Sequence, residues 1–170
     1  MKKIIVVIII SLLALVSCSK SDDIKHEQFD IPMKSTVKVE YEGAEYLIEF
    51  EMKAYDNVCL TFIKPEKLNN MKLSLSKGKT SLVYHGISIP IDGDYAKDNG
   101  ILQLLQIFTA DKNTYDSAKI VKVSGVKYCR QRYINGKNCI DIYFPQASER
   151  PSFIDASLNG RIFKVTFVNE

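Results

Sequence analysis

The chain is poor in the residues that metal chemistry and covalent catalysis draw on. It has two histidines, His26 and His85, and four cysteines, none in Cys-x-x-Cys spacing. A zinc centre needs three or four Cys, His or carboxylate ligands drawn together. None is expected here, nor any other metal or cofactor. No Gly-x-Ser-x-Gly turn occurs, so the exposed-serine elbow of the α/β hydrolases is missing. No apolar run reaches the about 20 residues that cross a bilayer core. There is no internal repeat and no low-complexity tract.

The longest apolar run lies at the start. Lys2 and Lys3 precede a stretch from Ile4 to Val16 that is broken only by Ser11. A basic start and a short apolar run fit an export signal. The run ends in "LVSC", residues 15 to 18, which resembles the bacterial lipobox Leu-x-[Ser/Ala/Gly]-Cys. That resemblance implies cleavage before Cys18 and diacylglycerol on its sulfur. A thiol is needed to form the thioether, and a small residue such as Ser17 gives the peptidase access. Two acyl chains hold firmly, because each buried methylene contributes about 0.8 kcal/mol. The alternatives are a type I signal with an incidental cysteine, or an uncleaved anchor. Residues 19 to 28, "SKSDDIKHEQ", are polar and without period, as in a tether. The expected organisation is a signal peptide at 1–17, a lipidated tether at 18–28 and one domain at 29–170.

Removing 17 of the 170 residues leaves 153, enough for one domain with a substantial core. Residues 18–110 carry 11 Lys and 14 acids, a net −3, and residues 111–170 carry 10 Lys/Arg and 6 acids, a net +4. The basic part suits anionic lipid headgroups, or is simply a set of scattered charges on exposed strand faces. Nucleic acid is not expected as a partner outside the cytoplasm.

Alternating apolar and polar residues dominate the rest. Val37, Val39 and Tyr41 share a face, then Tyr46, Ile48, Phe50 and Met52, then Val58, Leu60 and Phe62. Met71, Leu73 and Leu75 follow, then Leu82 and Tyr84, then Ile87, Ile89 and Ile91. Breaks at Glu42-Gly43, Asp56-Asn57 and Lys77-Gly78 read as an antiparallel meander. Pro65 closes the third strand because it has no N–H to donate. Strands are expected again over 118–124, 126–133, 138–144, 152–158 and 161–168. Asn135-Gly136 and Asn159-Gly160 are their hairpin turns.

One segment changes period. Ile101, Leu104, Leu105 and Phe108 fall at helical spacing, with Asp98 or Asn99 as a cap. One amphipathic helix is expected near 99–110. Ten or eleven short strands with one helix make a sandwich, a barrel or one curled sheet with the helix on its concave side.

Three constellations bear on chemistry. Asp92, Asp94 and Asp98 suggest calcium, but Ala96, Lys97 and Gln103 occupy positions where an EF-hand needs a ligand, a glycine and a glutamate. Capping and a loop account for them. His85 ends a strand with no nucleophile signposted beside it, so no enzyme activity is expected. Cys129 and Cys139 flank a hairpin. With a two-residue Asn135-Gly136 turn, Cys139 opposes Arg132 and the two thiols face opposite sides. A bulged register would bring them to one face and permit a disulfide. Cys59 is expected unpaired.

The segments "VEYEGAEYLIEFEM", "VCLTFIKPEKLNNMKLSLSKGKTSLVYHGISIPI", "GILQLLQIF" and "RPSFIDASLNGRIFKVTF" resemble small lipoproteins of low-GC Gram-positive bacteria. Phe62, Pro65 and Leu68 carry one signature, x-F-x-x-P-x-x-L. Tyr84, Gly86 and Ile87 carry another, x-Y-x-G-[Ile/Leu]. That family in turn resembles the LolA/LolB lipoprotein carriers. The resemblance implies an unclosed barrel of about eleven strands with a helix on its concave side, over an apolar cavity. It transfers no catalytic residue. Soluble carriers of the LolA type lack a tether, whereas Cys18 would anchor this chain, so lipoprotein trafficking does not carry over.

The expectation is a non-enzymatic lipoprotein on the extracytoplasmic face of the cell membrane. It would bind a lipid or other apolar small molecule among Phe50, Phe62, Ile101, Leu104, Leu105 and Phe108. The alternative is an envelope interaction protein with a filled core and a partner site at Tyr128, Arg130, Arg132, Tyr133 and Tyr143.

Overall fold

A computed structural model of the chain describes residues 29, 31–92, 95, 99–109, 114–146 and 148–168. The lipobox at Cys18, and Asp94 and Asp98 of the acidic loop, lie outside the described residues. Eleven antiparallel strands form one unclosed sheet. They are β1 (Met33–Tyr41), β2 (Ala44–Ala54), β3 (Asn57–Lys64), β4 (Lys72–Ser76), β5 (Lys79–Tyr84) and β6 (Ile87–Ile91), then β7 (Tyr115–Val123), β8 (Val126–Asn135), β9 (Asn138–Pro145), β10 (Phe153–Leu158) and β11 (Arg161–Val168). The spatial order is β6-β5-β4-β3-β2-β1-β11-β10-β9-β8-β7. The chain therefore winds outward from β1 to one edge, passes to the opposite edge, and winds back in to β11.

That passage contains α1 (Leu104–Phe108). Ten gaps of about 4.8 Å would hold the edges of a flat sheet about 48 Å apart. A curled sheet shortens the path, and α1 packs against β3 and β4. The helix is shorter than the expected 99–110. Its approach from Asn99 is tightened by i+3 hydrogen bonds, Leu102 N to Asn99 O at 3.1 Å and Leu105 N to Leu102 O at 3.3 Å. It stops where Thr109 donates both its N–H, at 3.0 Å, and its Oγ1, at 2.7 Å, to the Leu105 carbonyl. A helix this short has no stability of its own in water. Packing on the sheet sustains it.

The period-2 faces emerge as the pattern requires. Val37, Val39, Ile48, Phe50, Met52, Val58 and Leu60 are fully buried, and Phe62 nearly so. Across β1 and β11, Val37 opposes Phe167, Val39 opposes Val165 and Tyr41 opposes Phe163. One position needs glycine for space. A Cβ on Gly100 would overlap the ring and hydroxyl of Tyr41. That ring is stacked on Phe163, centroids 4.5 Å apart and nearly parallel.

The two signature segments meet. Pro65 leads into a 3-10 turn, Glu66–Leu68, and the Tyr84 hydroxyl donates to the Lys67 carbonyl at 2.7 Å. The motif residues thus tie the β3–β4 turn to β5, which is a packing role.

Candidate functional site

The six residues expected to line an apolar site do come together, as core. Phe108 stacks on Phe50 with centroids 4.4 Å apart, and Phe29 and Phe167 stand 6.3 Å from the same ring. Leu104, Leu105 and Phe62 are buried, while Ile101 is half-buried at the margin of that cluster. Side chains therefore fill the space between α1 and the sheet at these positions. Two cavities lie elsewhere. One of about 510 Å³ sits at the rim where β1 begins and β11 ends, with Lys34, Glu49 and Arg150 in its wall. The other, about 310 Å³, flanks the β1–β2 turn.

The concave face stays apolar beyond the helix. Leu73 pairs with Leu82, and Leu82 pairs with Ile89. Tyr84 pairs with Ile87 in the same ladder. Leu73 is fully buried and Leu82 half-buried, but Ile89 is 48% and Ile87 66% exposed. The row that forms the core under α1 thus runs out uncovered onto the β5–β6 wing. This open surface was not legible as a site, because Ile87 and Ile89 carry the same alternation as any buried strand.

The opposite face is polar and ion-paired on its C-terminal half. Register aligns Arg132 with Asp141, Asp141 with Asp155, and Asp155 with Lys164. The Arg132 guanidinium forks onto Asp141, Nε to Oδ1 at 2.7 Å and Nη2 to Oδ2 at 2.6 Å. This pairing holds Arg132 above its already high ordinary value. Arg130 Nε lies 3.9 Å from Asp141 Oδ1. Burial pushes the Asp155 carboxyl up, partly offset by Lys164. Above this row Tyr143 stacks on Phe153 at 4.2 Å, and Tyr128 meets Phe153 edge-on at 5.2 Å. Burial also raises the Tyr143 hydroxyl.

One expectation is corrected here, and an alternative left open at the Cys129–Cys139 hairpin is not realised. Tyr133 is not on the surface with Tyr128 and Tyr143. It is 2% exposed on the concave side, where its hydroxyl donates to Gln131 Oε1 at 2.9 Å. Its odd position in β8 sends it to the face opposite Arg132. The disulfide between Cys129 and Cys139 does not form, and all three described cysteines are free. The β8–β9 turn falls on Gly136-Lys137 with Asn135 opposite Asn138. Cys139 then opposes Ile134 and Cys129 opposes Phe144, on the two sides of the sheet. Burial raises both thiols above the ordinary value.

His85 is an exposed turn residue at φ 49°, edge-on to Tyr84. Among the described residues no cluster of three His, Cys, Asp or Glu side chains is placed to hold a metal ion. Among them, too, no helix is long and apolar enough to cross a membrane.

No protein-family model and no curated sequence matches the chain. Solved structures do show similarity. A conserved protein of Thermus thermophilus matches at 12% identity and TM-score 0.47, over 79% of this chain and 74% of that one. A LolA superfamily protein of Nitrosomonas europaea matches at 12% identity and TM-score 0.42, over 88% and 89%. The Mycobacterium tuberculosis lipoprotein LppX matches at 9% identity and TM-score 0.40, over 79% and 84%. At such scores the likeness carries no function to this chain.

Proposed function

We propose that the protein is a non-enzymatic binding module, tethered through a lipid on Cys18 to the outer side of the cell membrane. It takes an apolar ligand such as an acyl chain on the concave face. The contact surface is Leu82, Ile87 and Ile89, outboard of α1, because the six positions of the helix–sheet core are occupied by one another. The observation that carries this reading is the exposure of Ile87 and Ile89 on the face that forms the core under α1. Covering two such side chains is worth a few kcal/mol at about 25 cal/mol per Å², enough for weak capture of a chain-like ligand.

The test is native mass spectrometry of residues 19–170, secreted without the anchor, followed by organic extraction. An apolar mass should co-purify and be lost in Ile87→Glu/Ile89→Glu. A clean protein mass, unchanged after incubation with mixed lipids, overturns the reading. Anchoring is tested separately: Cys18→Ser should release the protein and abolish labelling by a fatty-acid precursor.

A second reading rests on the outer face. Tyr128, Tyr143 and Phe153 form a half-buried aromatic group beside Arg130, a composition typical of protein contact sites. In that reading the protein binds an envelope partner. Crosslinking in cells to one specific protein, lost in Tyr128→Ala/Phe153→Ala, favours it; no crosslinked species argues against it.

A further inference from the structure

The β7–β8 hairpin stands apart from the rest of the sheet in charge. Residues 117 to 140 hold six basic side chains, Lys119, Lys122, Lys127, Arg130, Arg132 and Lys137, and no acidic one. By contrast, residues 40 to 56 hold six acids and only Lys53. In the sheet order four strands lie between β2 and β8, and five between β2 and β7. The molecule is therefore electrically polarised across its width.

Like charges face each other across the hairpin. Lys122 lies directly opposite Lys127, and Lys119 directly opposite Arg130. Like charges so placed weaken a hairpin. None of the ion pairs among the described residues involves Lys119, Lys122 or Lys127, and all three are exposed.

The tip carries apolar side chains instead of polar ones. Ser124 and Gly125 form a two-residue turn at φ 48° and 87°, the left-handed pair that suits a tight hairpin. Val123 and Val126 flank it as a cross-strand pair, 36% and 51% exposed, and Ile120 is 48% exposed just behind. Lysines on β7 alone would guard an open sheet edge against pairing. That does not account for Lys127 on the inner strand, nor for two bare valines at the tip.

We propose that the β7–β8 hairpin is a peripheral docking element for an anionic lipid bilayer. Val123 and Val126 enter the headgroup–acyl boundary, and Lys119, Lys122 and Lys127 form a collar on the anionic headgroups. The bilayer supplies the counter-charge that Lys119, Lys122 and Lys127 lack in the ion pairs of the described residues. The proposal does not depend on the ligand or the lipid anchor. Each lysine near such a surface contributes about fivefold in partition.

The test uses residues 19–170, which contain every described strand and the whole described core, in sedimentation with vesicles. Vesicles of phosphatidylcholine with about a third phosphatidylglycerol should bind the protein, and pure phosphatidylcholine should not. Binding should collapse in 0.5 M salt, where screening is strong. Lys119→Glu/Lys122→Glu/Lys127→Glu should lower partition by more than about 100-fold. Val123→Ser/Val126→Ser, at exposed positions that leave the core intact, should lower it by about tenfold with net charge unchanged. Lys67→Glu/Lys77→Glu/Lys79→Glu, remote on the other wing, should change it less than twofold. Equal loss in that remote variant, undiminished binding in the valine variant, or equal binding to neutral vesicles overturns the proposal. So does tighter binding to soluble polyglutamate than to the vesicles.

Discussion

Phe108→Ala tests whether α1 is core or cover. The ring is fully buried, and its face lies against Phe50 at 4.4 Å with 24° between planes. Truncating a buried phenylalanine costs about 3–5 kcal/mol, of which an aromatic pair supplies about 0.5–1.5. A domain of this size has about 5–15 kcal/mol in total. The variant should fold, with its stability much reduced. Urea unfolding followed by tyrosine fluorescence reads this directly. For a slope of about 2 kcal/mol per M, the midpoint should fall by about 1.5–2.5 M. The vacated space is apolar and stays dry, so a benzene-sized ligand should recover part of the loss. A midpoint shift under about 0.3 M would refute the reasoning. It would mean that the helix leaves the sheet at little cost, and that the space beneath it is available to a ligand after all.

Other outcomes follow from single contacts. Gly100→Ala should destabilise by about 1–3 kcal/mol, because Tyr41 is held on Phe163 and cannot yield to a new methyl group; pairing it with Tyr41→Ala should recover part of that loss in the double variant. Asp155 has its carboxyl raised by burial, so its ionised form is disfavoured in the folded state. The cost is present above the folded-state value and is relieved as pH falls through it. Asp155→Asn should therefore raise the thermal midpoint at pH 7, and the gain should vanish in acid; a gain independent of pH would contradict this. Mass spectrometry of residues 19–170 after alkylation in denaturant, without reductant, should count three thiols, and any species two hydrogens lighter would contradict the register at Gly136-Lys137.

Local chemistry was sufficient for most of the fold. Alternation over Val37–Tyr41 and Tyr46–Met52 reports a strand with one buried face, since successive side chains point to opposite sides. Turn pairs such as Asn159-Gly160 report where such strands reverse. The sequence alone also determines the chemistry available at Cys18 and the absence of acids between Ser117 and Ile140. Other features are decided only when distant segments meet. A turn placed one residue later, at Gly136-Lys137, chose the partner of Cys139. Which of Tyr128 and Tyr133 faces solvent depends on the side of the sheet that α1 covers. Ile48 and Ile89 sit in the same kind of alternating strand, yet one is fully buried and the other half-exposed, because a five-residue helix packs over β2, β3 and β4 and does not reach the β6 edge. Burial belongs to the arrangement of elements, and no local pattern encodes how far a cover extends.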